Sequence, residues 1–275
     1  MAEPLYRRDG DVFVPSKNVR GPWSYDHCHG GPPFGLLTTL MCKERPDMGM
    51  TRTTMDIPGP IPLVPCRVEL ETIRRGKKIC HLAATLVGLE GTPYARASAW
   101  LMRIDHDVTA QTNPDRNTPA SHDSGTPVNL NFWDDEGDFA QSVEMWAVEG
   151  TPFGGGAATV WTRLTLPLLE GEATNPYARA AIVSDFPNGV SALKPLEMLA
   201  CVNTDVTVYF GREPIGDWIA LRSQTNSSGL GLGMSDSLLY DVTGFVGTAN
   251  QSIFFDSPSA GNETRVPERL TNESS

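Results

Sequence analysis

Polar residues at three places in the second half of the chain are suited to activating a water molecule. Asp205, the pair Thr225 and Asn226, and Gln251 each lie on or beside a segment whose pattern predicts a β-strand. A carboxylate beside a hydroxyl and an amide can take a proton from water and orient it. These residue types therefore predict hydrolysis without a protein nucleophile. The alternative is that they occupy rim positions of a sheet, which tolerate polar side chains.

A second candidate feature lies in the first half, where His29 is followed by Gly30 and Gly31. These glycines and two prolines come directly before residues 34–43, whose apolar positions have helical spacing. Free backbone amides at a helix start, together with the helix dipole, can hold a developing oxyanion. The alternative is that the glycines serve only close packing at the helix entry.

The one dense basic spot is a predicted hairpin tip around Gly76, formed by Arg74, Arg75, Lys77 and Lys78. Guanidinium and ammonium groups in such a turn could receive the phosphates of a ligand. The alternative is solvated surface charge.

Metal and cofactor chemistry is not indicated by the sequence. His27 and His29 point in opposite directions in an extended segment, and no distant cluster completes a tetrahedral metal site. The glycine-rich segments at 154–156 and 229–233 lack the context of a phosphate loop or a dinucleotide fingerprint. The five cysteines contain no Cys-x-x-Cys pair, so we expect reduced thiols in a cytoplasmic protein.

The net charge and the hydropathy of the chain argue against two classes of binding partner, nucleic acids and membranes. The chain has 33 acidic and 22 basic residues, and its net charge of −11 argues against nucleic-acid binding. No run approaches the roughly 18 apolar residues needed to cross a bilayer. We therefore expect neither a nucleic-acid partner nor a membrane partner.

The two halves of the chain have similar patterns. Each is predicted to contain strands, then a helix, then further strands, with the helix at 34–43 in the first half and at 175–190 in the second. The alternating strand at Arg67 can be laid over the one at Asp205, and the Trp100 strand over the Gln251 strand. We predict a duplicated unit of one long helix on a curved antiparallel sheet, although two β-rich halves can also be aligned by chance. The predicted organisation is an N-terminal repeat at 1–104, a linker at 105–141, a C-terminal repeat at 142–256 and a disordered tail at 257–275.

Up to about residue 256 the chain resembles the acyl-CoA thioesterase II-like (TesB-type) family of double hot-dog proteins. The matching segments include Gly21-Pro22-Trp23, His29-Gly30-Gly31-Pro32-Pro33, Arg75-Gly76-Lys77, Asp185-Phe186-Pro187-Asn188-Gly189, Asn203-Thr204-Asp205, Trp218, Leu239-Tyr240-Asp241-Val242-Thr243-Gly244 and Gln251. The resemblance implies an α+β double hot-dog fold of two tandem repeats, each a curved antiparallel sheet wrapped around a long helix.

The resemblance also implies a catalytic set of Asp, Thr or Ser, and Gln from the second repeat. Asp205 and Gln251 are matched to it, whereas the hydroxyl position falls on Thr225 or Asn226. The expected activity is hydrolysis of acyl-CoA thioesters to free acid and CoA, without a cofactor, by a homodimer or larger homo-oligomer. Two alternatives stay open: a non-catalytic acyl-CoA or lipid-binding protein, and an enoyl-CoA hydratase or dehydratase using His29 and Asp185.

Overall fold

The computed structural model of the chain describes residues 3–109, 116–131, 133, 137–195 and 198–257. Within these ranges the strands join one antiparallel sheet, and three α-helices pack on it. The helices are α1 (Gly31–Glu44), α2 (Pro176–Val183) and α3 (Pro187–Val190). The strands are β1 (Tyr6–Asp9), β2 (Val12–Pro15), β3 (Met48–Asp56), β4 (Cys66–Arg75), β5 (Ile79–Gly88), β6 (Pro93–Arg103), β7 (Thr126–Pro127), β8 (Val143–Glu149), β9 (Ala158–Leu164), β10 (Ala200–Asn203), β11 (Asp205–Phe210), β12 (Ile219–Ser227), β13 (Leu232–Asp241) and β14 (Gly244–Asp256).

The strand order is the same in the two halves of the chain. The main path of the sheet runs β1-β2-β4-β5-β6-β3-β11-β14-β13-β12-β9-β8-β7. Outward from the β3–β11 seam, the first half therefore reads β3, β6, β5, β4, β2, β1 and the second reads β11, β14, β13, β12, β9, β8. The two halves therefore share one strand order and are joined edge to edge.

This order corrects part of the overlay made from the sequence. The Trp100 strand β6 and the Gln251 strand β14 do occupy equivalent places, but the Arg67 strand β4 corresponds to β12 and not to the Asp205 strand β11. Alternating strands look alike in sequence, and their places in the sheet are decided by pairing partners far away in the chain.

The seam between the halves is as well buried as the rest of the core. Asp205 pairs with Asp56 at one end of the seam, and Tyr209 pairs with Arg52 near the other. Between these ends, Met55, Val206 and Val208 are fully buried. One hydrophobic core runs through both halves as a result.

Helix α1 starts at Gly31, three residues before the predicted run 34–43, because prolines are tolerated in a first turn, where their missing amides would be unpaired. It packs against α2 of the other half, and Gly35 allows this close approach. A Cβ atom at Gly35 would lie only 2.3 Å from Cγ1 of Ile182. The helix–helix contact joins the two halves beneath the sheet.

The helix predicted over 175–190 is broken into α2 and α3. Pro187 has no amide with which to bond the carbonyl of Val183, so the α-helical ladder stops there. The amides of Asp185 and Phe186 instead donate to the carbonyls three residues earlier, at 3.4 and 3.1 Å. This tight turn holds Asp185 between the two helices.

Part of the predicted linker packs on the second half. Strand β7 pairs with β8, and the hydroxyl of Tyr240 donates to the Arg116 carbonyl at 2.6 Å. The predicted tail at 257–275 lies, apart from Ser257, outside the described residues. Among the described helices, none has the length and apolar character needed to cross a membrane.

Candidate active site

A cavity of about 410 Å³ lies where the start of α1 meets the turn between α2 and α3. Its walls come from both halves of the chain and are mostly apolar. The lining residues are Pro22, Trp23, His27, Cys28, His29, Gly30, Ile57, Pro58, Gly59, Pro60, Ile61, Phe153, Asp185, Phe186, Asn188, Gly189, Val202, Asn203 and Thr204. Such a wall suits an apolar group, with the few polar side chains left to orient it.

Asp185 is the carboxylate of this cavity, and its side chain is only 6% exposed. Its Oδ1 accepts a hydrogen bond from Nδ2 of Asn203 at 2.8 Å. Its Oδ2 lies 2.9 Å from Nδ1 of His29. Both carboxylate oxygens are therefore held by side chains, one from each half.

The close approach of α1 to Asp185 depends on glycine. A Cβ atom at Gly30 would lie 2.8 Å from Oδ2 of Asp185. A Cβ atom at Gly31 would lie 2.5 Å from the Ile182 carbonyl oxygen. The start of α1 can thus pack against Asp185 and the end of α2 only because these two residues lack side chains.

His29 is buried against two aromatic rings that also stack on each other. Its ring centroid lies 4.7 Å from that of Phe139 and 4.8 Å from that of Phe186. Its Nδ1 lies within hydrogen-bonding distance of the Gly31 amide, at 3.1 Å, as well as of Asp185. The ring therefore stands between the carboxylate and the first turn of α1.

Gln251 lies behind the cavity wall and is 2% exposed. Its Oε1 accepts from the amide of Asn188, which lines the cavity, at 3.1 Å. Its Nε2 is buried without a hydrogen-bond partner. An unpaired buried donor costs free energy, so this amide group is available to an oxygen atom of a ligand or a water.

Cys28 lines the cavity but is a poor nucleophile. Burial, with a smaller contribution from Cys66, raises the pKa of its thiol well above the ordinary value. Only the thiolate attacks an electrophile readily, and a thiol with such a pKa stays protonated at neutral pH. The cavity is therefore better equipped for attack by water than for covalent catalysis by this cysteine.

The predicted set of Asp205, Thr225 and Gln251 is not brought together in one place. Asp205 is only half-buried at the start of β11, where its Oδ1 accepts from the Ser252 amide at 3.0 Å. It precedes the buried Val206, so its side chain lies on the other face of the sheet from the core. The carboxylate that does reach the cavity is Asp185.

Thr225 and Asn226 are also outside the cavity. The Thr225 hydroxyl is buried in a hydroxyl cluster, 2.7 Å from Oγ of Ser191. Asn226 is exposed on the opposite face of β12, where its amide lies 3.4 Å from Asp236. Neither side chain is placed to contact a group bound beside Asp185.

The predicted phosphate-binding turn lies at the far end of α1 from the cavity. The guanidinium of Arg45, directly after α1, donates to the Gly76 carbonyl at 3.2 Å. Helix α1 has 14 residues, which at the usual rise is about 21 Å. Arg74, Arg75 and Lys77 are thus separated from Gly30 and Asp185 by roughly the length of the helix.

Asn203 is the site residue that the sequence analysis did not identify, and Asp185 entered it only as a partner of His29 in the hydratase alternative. Both residues belong to segments that carried the family resemblance. The Asp185-Phe186-Pro187 segment also contained a usable signal, because a proline inside a predicted helix marks a break. Within the described ranges, no group of three or more His, Cys, Asp and Glu side chains is arranged to hold a metal ion.

Two family models match the chain, and together they cover most of it. Residues 19–102 match the acyl-CoA thioesterase N-terminal domain, and residues 110–255 match the acyl-CoA thioesterase C-terminal domain. No curated protein matches the sequence.

Solved structures with similar folds have low sequence identity to this chain. A putative thioesterase II from Thermobifida fusca has a TM-score of 0.71 at 15% identity, covering 92% of this chain and 95% of its own. The tesB protein of Mycobacterium avium subsp. paratuberculosis has a TM-score of 0.67 at 15% identity, covering 91% and 95%. A hot dog fold protein of unknown function from Alicyclobacillus acidocaldarius has a TM-score of 0.71 at 15% identity, covering 92% and 96%. At this identity the likeness establishes a hot-dog fold.

Proposed function

Since the chain belongs to the acyl-CoA thioesterase family, we propose that it hydrolyses acyl-CoA thioesters in the cavity beside Asp185. The observation that carries this proposal is the buried Asp185 carboxylate. Asn203 and His29 hold this carboxylate beside the start of α1. We also interpret the repeated strand order as a double hot-dog arrangement, in which one site is built from both repeats.

In the proposed reaction, ionised Asp185 accepts a proton from a water molecule as the water oxygen attacks the thioester carbonyl carbon. The Asn203 amide keeps the carboxylate oriented, and the free Nε2 of Gln251 is suited to holding the water or the acyl oxygen. The C–S bond then breaks, and the proton passes to the departing sulfur. The products are a carboxylic acid and the CoA thiol.

The start of α1 can stabilise the negative charge that develops when the water attacks. During attack, negative charge develops on the carbonyl oxygen, and backbone amides at a helix start stabilise such charge. The Gly30–Gly31 segment lies against Asp185, so one bound acyl group can face both features. The apolar wall formed by Trp23, Ile61 and Phe186 would receive the acyl chain.

The test is a comparison of two conservative changes, Asp185→Asn and Asp205→Asn. Thiol release from acyl-CoAs of graded chain length should fall by about 10²–10⁴-fold in Asp185→Asn, because the general base is lost. Asp205→Asn should keep the wild-type rate, because that carboxylate lies on the outer face. Circular dichroism would verify that both variants are folded.

Equal losses in the two variants, or a normal rate in Asp185→Asn, would overturn the assignment of Asp185 as base. The close pair of Asp185 and His29 is also compatible with adding water to an enoyl-CoA, the alternative raised by the sequence. Hydration of an enoyl-CoA without thiol release would favour that reaction. Tight acyl-CoA binding without either reaction would favour a binding protein.

A further inference from the structure

His29 stands between the two features that the proposed reaction needs, and a single ring nitrogen contacts both. Its Nδ1 lies 2.9 Å from Oδ2 of Asp185 and 3.1 Å from the amide nitrogen of Gly31. A ring nitrogen either carries a proton and donates, or has a lone pair and accepts. The two contacts therefore compete.

When Asp185 is ionised, the hydrogen bond from Nδ1 to Asp185 is favoured over the one from the Gly31 amide to Nδ1. With a lone pair on Nδ1, a negative oxygen and a lone pair would face each other at 2.9 Å, which is repulsive. With a proton on Nδ1, the imidazole donates a charge-assisted hydrogen bond to the carboxylate. In that state Nδ1 no longer accepts from the Gly31 amide.

We propose that His29 is a positioning residue that couples the base to the oxyanion site, an inference that rests on the proposed thioester hydrolysis. Its Nδ1–H fixes the orientation of ionised Asp185 and, by the same proton, leaves the Gly31 amide available to the thioester oxygen. The form of the site that can accept a proton from water is then also the form that can stabilise the oxyanion.

The residues around His29 keep its ring in this position. The ring is enclosed by Phe139 and Phe186, and the His29 amide donates to the Val19 carbonyl at 2.9 Å. The side chain is 8% exposed, so bulk water has little access to its bond with Asp185. The first repeat thereby controls the geometry of a carboxylate that belongs to the second.

The activity test compares His29→Phe with His29→Asn. Phenylalanine keeps an aromatic ring against Phe139 and Phe186 but removes the donor. Asparagine loses the ring but places an amide N–H near the position of Nδ1. We expect kcat to fall by about 10²-fold in His29→Phe with little change in KM, because a misplaced base costs transition-state stabilisation. We expect His29→Asn to retain a kcat closer to that of the wild type.

A purely structural role predicts the reverse order, with His29→Phe the better tolerated variant. That order, or a wild-type kcat in His29→Phe, would overturn the inference even if Asp185→Asn is inactive. If Asp185→Asn keeps full activity, the proposed function fails instead, so the two failures are distinguishable.

A second measurement does not depend on turnover. Nitrogen-15 NMR of the imidazole rings distinguishes a protonated from an unprotonated Nδ1, and the chain has five histidines, so the His29 signal can be assigned by its loss in His29→Asn. At neutral pH we expect a proton on Nδ1 of His29. An unprotonated Nδ1 that accepts from the Gly31 amide would overturn the inference.

Discussion

Asp241 is a buried carboxylate outside the cavity, and both of its oxygens accept hydrogen bonds. Its side chain has no exposed surface, and it accepts hydrogen bonds from the guanidinium of Arg212, the Ile215 amide and both donors of Thr243. Burial alone would raise the pKa of this carboxyl, but the bonds from Arg212 and Thr243 outweigh it and hold the pKa below its ordinary value. The residue ties the end of β13 to the loop after β11.

Asp241 should therefore contribute stability that depends on pH. Because the folded-state pKa is lowered, the contribution is present above the unfolded-state pKa of about 3.9 and is lost as pH falls below it. We expect Asp241→Asn to lower the free energy of unfolding at pH 7 by about 3 kcal/mol, since Arg212 is left without its partner. Urea titrations at pH 7 and pH 3 should show that the deficit shrinks in acid. A deficit that is constant over this range would contradict the ion-pair explanation.

At the scale of elements, the turn between β8 and β9 closes one side of the cavity with a strained residue. Phe153 has a φ of 63°, in the left-handed region that a bulky side chain rarely adopts. Its ring lies against Gly189 of α3, where a Cβ atom would be 3.0 Å from it. The strain, typically about 1–3 kcal/mol, is maintained by the packing around the ring.

If acyl-CoA binds in this cavity as proposed, we expect Phe153 to limit the length of the acyl chain. Phe153→Ala should enlarge the cavity beside Asn188 and raise the ratio of kcat/KM for long over short acyl-CoAs by about tenfold, as one or two buried methylenes would. Phe153→Leu should give an intermediate ratio. Measuring kcat/KM over a chain-length series tests this, and an unchanged profile in Phe153→Ala would show that the chain lies along another wall.

At the scale of the molecule, the two halves share one hydrophobic core and line one cavity. The β3–β11 seam and the α1–α2 contact bury residues of both halves in one core. The site uses His29 and Gly30 from one half and Asp185 and Asn203 from the other. A substitution at the α1–α2 contact should therefore lower the unfolding free energy of the whole chain.

Gly35→Ala is the sharpest test of this coupling. Its Cβ would overlap the side chain of Ile182, and overpacking of this kind costs about 1–3 kcal/mol of unfolding free energy. Ile182→Val in the same chain should recover part of the loss. Circular dichroism and tryptophan fluorescence should follow one shared transition in all variants. Separate transitions, or no loss in Gly35→Ala, would contradict a single cooperative core.

The sequence by itself determined most of the local structure. Alternation at Arg67 predicted the strand that became β4, and the segments around Trp100 and Gln251 were predicted as the strands that became β6 and β14. Apolar spacing after a glycine–proline segment predicted α1. The resemblance to the TesB-type family is confirmed by matches over both halves. These features can be predicted because each depends on neighbouring residues or on motifs within a short stretch of chain.

Only the tertiary structure decided which polar residues share a site. Alternation places Val206 and Val208 on the core face of β11 and Asp205 on the other face, but it does not show which distant carboxylate reaches the cavity. The helix break at Pro187 and the pairing of β3 with β11 bring Asp185, Asn203 and His29 together, although His29 is 156 positions from Asp185 in the chain. Contacts over such separations depend on which surfaces can be buried together, and no local pattern encodes that choice.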